Sequence, residues 1–213
     1  MAFFYLHGFA SGPRSTKAQD LKRRFASLNL CLELPDLNQG NFTKLTLSRQ
    51  IQQVKSRFPE DEPVTIIGSS FGGLTAAWLG QQCKTVERLI LLAPAFEFLS
   101  HWLPKIDPSD LQKWRSGEPL FVHHYAENRS LPLDYGFVSD LEHYNEAQLK
   151  KPIPTLILHG TQDDVIPIQA SQSYAKIRPW VELIELESDH ALVDQGLQIW
   201  HAICQFCGLN LEQ

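Results

Sequence analysis

Cysteine is scarce in this sequence: Cys31, Cys83, Cys204 and Cys207 are too few and too scattered to build a disulfide framework in 213 residues. That usage agrees with a reducing compartment. Long apolar runs are missing as well, and nothing approaches the roughly 20 apolar residues that a membrane-spanning helix requires. The apolar opening Met1-Ala-Phe-Phe-Tyr-Leu-His7 is short and lacks the basic start and longer apolar stretch of a secretory signal, so a cytoplasmic location is expected. There is no surplus of positive charge. Nineteen Lys and Arg against twenty-four Asp and Glu leave a net charge of −5, which offers no basic field to phosphate backbones and argues against nucleic acid as a partner. Internal repeats, low-complexity tracts and long charge runs are also absent.

What is present is ordinary globular usage. Apolar residues make up 43% and charged residues 20%, which excludes a disordered or collagen-like chain, and the length suits a single domain spanning residues 1–213. Six short stretches rich in apolar and β-favouring residues read as buried strands: Ala2 to Leu6, Cys31 to Leu34, Val64 to Ile67, Arg88 to Leu92, Thr155 to Leu158 and Val181 to Leu186. Segments with helical spacing lie between them, at Ser15 to Leu28, Thr46 to Phe58, Gly72 to Gln82, Gln169 to Ile177 and His190 to Phe206. Alternating strands and helices, with strands apolar on both faces, predict an α/β fold whose mostly parallel sheet of about six strands has helices on both sides.

Residues 95–151 break this rhythm. They contain no convincing strand, but many aromatics (Phe96, Phe98, Trp102, Trp114, Phe121, Tyr125, Tyr135, Phe137) mixed with Pro and charges. An insertion of this length between core strands is expected to fold into helices of its own and to cap a binding site, although the aromatics could equally serve only to pack it onto the domain. His123-His124 within it could line a cleft, but adjacent histidines normally point in different directions.

The strongest chemical signal is Val64-Thr-Ile-Ile-Gly-Ser-Ser-Phe-Gly-Gly73. Gly68-Ser69-Ser70-Phe71-Gly72 fits G-x-S-x-G directly after a strand and directly before a helix. Such an elbow turns sharply, and small residues two before and two after the serine leave room for the turn. Ser70 would then stand at a helix N-terminus, where free N–H groups favour a developing anion. Ser69 is the rival nucleophile, but it lies one position early and lacks the symmetric glycines.

A serine hydroxyl needs a base to take its proton and a third group to orient that base. Pro154-Thr-Leu-Ile-Leu-His-Gly-Thr-Gln-Asp-Asp-Val-Ile-Pro167 runs from a strand into a loop with Asp163 and Asp164, either of which could be the acid. Val181-Glu-Leu-Ile-Glu-Leu-Glu-Ser-Asp-His-Ala-Leu192 ends in a loop with His190. Loops beyond the carboxyl ends of parallel strands converge on one edge, so these residues can meet Ser70 there. Taken singly, the acid could be a helix cap and His190 a surface residue. A tetrahedral intermediate also needs donors placed in advance, and the backbone N–H of Phe71 and of Phe9, in Leu6-His-Gly-Phe-Ala-Ser-Gly-Pro13, are the candidates. His7 reads as a residue holding that loop. Asp36 and Asn38 follow the second strand on the same edge, where they could touch substrate or simply form the loop.

These residues resemble the α/β-hydrolase superfamily, through His7-Gly8-Phe9, Gly68-Ser69-Ser70-Phe71-Gly72, the run from His159 to Pro167, and Ser188-Asp189-His190-Ala191. The chain order Ser, Asp, His is that superfamily's order, and the match covers nearly the whole chain. The start, Phe4-Tyr5-Leu6-His7-Gly8-Phe9, and the small size look like the YqiA-like esterases in particular. The resemblance implies Ser70 as nucleophile, His190 as general base and acid, Asp163 rather than Asp164 as the orienting acid, and Phe9 and Phe71 as oxyanion donors. It further implies a serine esterase acting on a small-molecule acyl ester, with no metal or organic cofactor. A thioesterase, an acyltransferase or a carbon–carbon lyase could use the same residues, and a non-catalytic binding protein is the alternative from another class. Cys204-x-x-Cys207 has the spacing of a redox or metal pair, but sits in an apolar helical tail with no second pair nearby.

Overall fold

Strands whose residues are all buried belong in the middle of a sheet covered on both faces, and Val64–Ser69 and Thr155–Gly160 are such strands. The structure, a computed structural model, describes residues 1–210. In chain order its strands are β1 (Ala2–Leu6), β2 (Leu32–Glu33), β3 (Val64–Ser69), β4 (Val86–Leu92), β5 (Leu120–His124), β6 (Arg129–Leu133), β7 (Thr155–Gly160) and β8 (Val181–Leu186). Six of them form one sheet in the order β2-β1-β3-β4-β7-β8, with every neighbouring pair parallel. The helices are α1 (Thr16–Ser27), α2 (Leu47–Lys55), α3 (Phe71–Gln82), α4 (Phe98–Trp102), α5 (Pro108–Arg115), α6 (Gly136–Leu141), α7 (Ile168–Lys176) and α8 (Gly196–Cys207).

The period of two along each strand divides the core into two layers. Phe4, Leu6, Ile66, Leu89, Leu91 and Ile157 face the side carrying α2 and α3. Phe3, Tyr5, Ile67, Ile90, Leu92, Leu156 and Leu158 face α1 and α8. On α1 only Ala18, Leu21 and Phe25 are buried, a spacing that puts them on one stripe, whereas α3 is buried from Phe71 to Gly80. That central helix therefore has protein on all sides. No helix among the described residues is long and apolar enough to cross a membrane.

Two expectations need correcting. Residues 95–151 do contain strands: after α4 and α5, β5 and β6 pair antiparallel, Val122 opposite Leu131. The hairpin carries no apolar run because β5 alternates half-buried and exposed residues and ends in two histidines, while β6 contains Pro132. A two-stranded ribbon has free edges on which proline is tolerated. The last helix also begins later than its pattern suggests. Asp189 Oδ1 accepts the N–H groups of Ala191 (2.9 Å) and Leu192 (3.2 Å), and Leu192 adopts φ 52°, so residues 190–192 form a turn and α8 starts at Gly196. His190 is thus held by a loop, not by a helix.

Phe25 is fully buried, 4.9 Å from the ring of Phe3 and 5.4 Å from that of Trp200, and joins α1 to the sheet and to α8. Phe25→Ala is expected to lower unfolding free energy by about 3–5 kcal/mol, measured by chemical denaturation. A loss below about 1 kcal/mol would mean that this layer can collapse around the gap.

Candidate active site

The elbow between β3 and α3 is strained. Ser70 sits at φ 53° and ψ −120°, a conformation that side chains other than glycine seldom adopt and that costs on the order of 1–3 kcal/mol. Hydrogen bonds on both sides hold it: Ser70 N–H donates to Leu92 O (2.9 Å), and its carbonyl accepts from Gly73 (2.8 Å) and Ala95 (3.0 Å). Close approach explains the glycines. A Cβ on Gly68 would lie 2.4 Å from Gly72 O, and one on Gly72 would lie 2.2 Å from Leu6 O.

Ser70 Oγ lies 2.9 Å from His190 Nε2, and His190 Nδ1 lies 2.7 Å from Asp163 Oδ2. An ionised carboxylate only accepts, so Nδ1 carries the proton and Nε2 is left to accept from the serine hydroxyl. Asp163 is buried, and its Oδ1 accepts the N–H groups of Val165 (2.9 Å) and Ile166 (2.8 Å). Burial alone would raise its pKa. Hydrogen bonds from His159 and His190, with the Ile166 N–H, outweigh that and hold the carboxyl well below the usual range, so it stays ionised. Of the two adjacent acids, Asp163 is the one that meets His190. Asp164 is exposed, and its carbonyl accepts from Lys105 Nζ at 2.8 Å.

The neighbouring serine faces elsewhere. Ser69 Oγ accepts from Lys17 Nζ at 3.2 Å, on the α1 side of the sheet. Gly8 lies against Ser70: a Cβ built there would be 3.3 Å from Ser70 Cβ. The Phe71 N–H, at the first turn of α3, has no partner within the helix, and among the described residues the Phe9 N–H donates to no other group. His7 is fully buried and braces this loop. Its Nε2 accepts the Leu37 N–H (2.9 Å), which leaves Nδ1–H to donate to Gly8 O (2.9 Å). Asn38 Nδ2 donates to Ser11 O (2.8 Å), and Asp36 Oδ1 accepts the Asn38 N–H (3.1 Å), so both residues bind the loop itself.

The segment between β4 and β7 reaches these loops through aromatic contacts. The Phe9 ring lies 5.7 Å from Phe98, 5.2 Å from Trp102 and 5.2 Å from Phe137, and Phe71 lies 5.1 Å from Phe98. Tyr125 N–H donates to Ala10 O (2.8 Å) and ties the hairpin to the same loop. His124 is buried edge-on to Phe42, whereas His123 is exposed beside Tyr125. A cavity of about 410 Å³ lies near Phe98, lined by Leu74, Leu141, Tyr144 and Glu146, but Ser70, Asp163 and His190 take no part in it. No cluster of three or more His, Cys, Asp or Glu among the described residues is arranged to hold a metal ion.

Two groups at the site escape a reading of the sequence alone. His159 is fully buried and its Nε2 lies 3.0 Å from Asp163 Oδ2. Its only advance signal is position, four residues before Asp163 at the end of a strand. Lys17 has none, since a lysine on a one-sided helix reads as solvent-facing.

The family described as Uncharacterised protein family (UPF0227) matches residues 2–207. Among curated proteins, a mouse mitochondrial palmitoyl-protein thioesterase, ABHD10, is 26% identical over 173 residues, covering 75% of this chain and 57% of the relative. The human counterpart is 27% identical over 186 residues, covering 80% and 60%. The chain therefore matches less than two thirds of these relatives' length. Among solved structures, mouse alpha/beta hydrolase domain-containing protein 10 superposes with a TM-score of 0.79 at 21% identity, over 97% of this chain and 89% of the other. Est1E from Butyrivibrio proteoclasticus, with ferulic acid bound, gives 0.75 at 16% identity, over 100% and 90%. The fold is that of the α/β hydrolases.

Lys17 generates a test of the site's electrostatics. Burial lowers its pKa to about 8, against the pull of the Asp189 and Asp163 carboxylates. In the unfolded chain the amine titrates near 10.5, so between about pH 8 and 10.5 the unfolded state binds the proton that the folded state has released, and stability rises with pH. Below about 8 the cost of enclosing the ammonium is fully expressed. Lys17→Met is expected to raise Tm at pH 7 and to lose that advantage by pH 10, as measured by thermal melts. A constant difference at both pH values would contradict this account.

Proposed function

The chain belongs to the UPF0227 family and has the α/β-hydrolase fold, and on that premise we propose that it is a serine hydrolase cleaving carboxylic esters through an acyl-enzyme. The observation that carries this reading is the continuous pair of hydrogen bonds, 2.9 Å from Ser70 Oγ to His190 Nε2 and 2.7 Å from His190 Nδ1 to Asp163 Oδ2.

Ser70 Oγ attacks the ester carbonyl while His190 Nε2 takes its proton, and the resulting imidazolium is stabilised by the ionised Asp163. Negative charge on the carbonyl oxygen is met by the N–H groups of Phe9 and Phe71. When the intermediate collapses, the proton on Nε2 goes to the departing alkoxide and the acyl group remains on Ser70. Water then attacks that ester, with His190 again as base, and the acid leaves as Ser70 regains its proton. Every proton moves through one nitrogen, so no cofactor enters the scheme.

Residues 95–151 act as the cap in this reading. Phe98, Trp102 and Phe137 build an apolar wall against the two loops that donate to the oxyanion, which suits an apolar acyl or aryl group on a small-molecule ester. A thioester is the second substrate class, favoured by the palmitoyl-protein thioesterases among the relatives. Four free thiols, at Cys31, Cys83, Cys204 and Cys207, fit a reducing location such as the cytoplasm.

Incubation with a fluorophosphonate followed by intact mass measurement tests the reading. One adduct on the wild type and none on Ser70→Ala is expected, together with a loss of ester turnover of at least about a thousandfold in Ser70→Ala and in His190→Ala. Absence of labelling in the wild type would support the binding-protein alternative. Turnover of matched oxygen esters and thioesters then decides between the two substrate classes.

A further inference from the structure

We propose that His159 is a positioning residue that limits the charge Asp163 presents to His190, and so sets how far into acid the site keeps its base. This rests on reading Ser70, His190 and Asp163 as the reacting group. The observation behind it is that two imidazoles share one carboxylate oxygen. Asp163 Oδ2 lies 2.7 Å from His190 Nδ1 and 3.0 Å from His159 Nε2.

The tautomer of His159 follows from its surroundings. Nε2 also lies 2.9 Å from the Ile166 carbonyl, so both of its neighbours are acceptors and Nε2 must carry the hydrogen. Nδ1 then has a free lone pair, and the Ser171 hydroxyl, 2.7 Å away, donates to it. All three contacts lie in a fully buried environment in which a second proton on the ring would have no carboxylate of its own. His159 is therefore a fixed donor to Asp163 Oδ2.

Its effect on His190 has a definite sign. The orientation of Asp163 does not depend on His159, because Oδ1 is separately held by the Val165 and Ile166 N–H groups. What His159 does is draw negative charge on Oδ2 away from the His190 side. Removing that donor concentrates charge where His190 Nδ1–H meets it, stabilises the imidazolium, and moves protonation of His190 to higher pH. The base is then lost earlier as pH falls.

Other charges near the group come from separate elements. Lys17 on α1 acts on Asp163 and Asp189, and Asp189 itself adjoins His190. Asp194 is engaged by the Ser188 hydroxyl, Asp164 is exposed, and Glu185, opposite His159 in the β7–β8 register, bonds Gln172. A substitution at His159 leaves all of these in place.

The test is an imidazole ¹⁵N titration of the whole protein, with the His190 signals identified by their loss in His190→Ala. In His159→Leu the His190 midpoint is expected to rise by about 0.5–1 unit, and in His159→Gln, whose amide N–H reaches towards the Nε2 position, to return towards wild type. The acidic limb of kcat/KM should move by the same amount, lowering activity about three- to tenfold on the acid side. A midpoint that stays or falls in His159→Leu would overturn the proposal and leave His159 a packing residue. Should His159→Leu not fold, the wild type still decides. The His159 Nε2 proton resonance must shift with the His190 midpoint, and indifference to it would overturn the proposal equally. The titration uses no substrate, so its failure is distinct from failure of the hydrolase reading, which fluorophosphonate labelling reports.

Discussion

The site depends on how closely the backbone can pack at two glycines. Gly72 lets the start of α3 come within contact of the Leu6 and His7 carbonyls, at a place where a methyl group would lie 2.2 Å from Leu6 O. This draws the end of β1 onto the elbow and sets Gly8 beside Ser70. Gly160 does the same on the other side, because its α-carbon faces the Ser188 carbonyl so closely that a Cβ would lie 2.3 Å from it. That contact brings the end of β7 against the loop carrying His190. The first approach sets Ser70 and the loop carrying Phe9, and the second sets Asp163 and His190. Both are steric facts about backbone, so side-chain chemistry acts on a frame already closed.

Within that frame the decisive electrostatic feature is a single buried carboxylate. Enclosure on its own would neutralise Asp163, which would leave His190 without an ionised partner. Two backbone N–H groups on one oxygen and two imidazoles on the other reverse that outcome. The loop from Gly160 to Ile166 is therefore a compact anion cradle, and its geometry fixes the histidine tautomer as well as the charge. The strained Ser70 backbone fits the same logic. Four main-chain hydrogen bonds and two glycine contacts over-determine it, so the turn cannot relax without breaking β3 from β4.

How much of this could be read from the sequence varied with the kind of interaction. The α/β architecture was legible because β3, β7 and the Leu89–Leu92 end of β4 are buried on both faces and so carry near-continuous apolar runs, while α1 keeps one stripe. The elbow was legible because its constraints fall on adjacent residues, Gly68 to Gly73. Other features depend on contacts across the chain or on short polar turns. The β5–β6 hairpin alternates burial over only five residues and contains His123, His124 and Pro132, which masks a strand. A pattern reading puts the start of α8 too early because Leu192 is apolar yet lies in a left-handed turn held by Asp189. His159 and Lys17 were hidden for a different reason. The sheet brings Ser69 to Lys17 from 52 residues away, and although Asp163 stands only four residues after His159, that spacing by itself does not mark a buried imidazole.

Phe9 links the loop beside Ser70 to the segment between β4 and β7. Its main chain belongs to the loop beside Ser70, while its ring touches Phe42, Phe71, Phe98, Trp102 and Phe137. Each such pair contributes about 0.5–1.5 kcal/mol beyond simple burial, so the loop is anchored from above by these rings and from below by His7. Phe71 is in the same position, with its N–H at the start of α3 and its ring against Phe98 and Phe137. The segment between β4 and β7 therefore cannot shift its aromatic face without also pulling on Phe9 and Phe71. The aromatic wall and the two loops beside Ser70 are coupled through these two side chains, and a change in the shape of the wall is at the same time a change in the geometry of the loops.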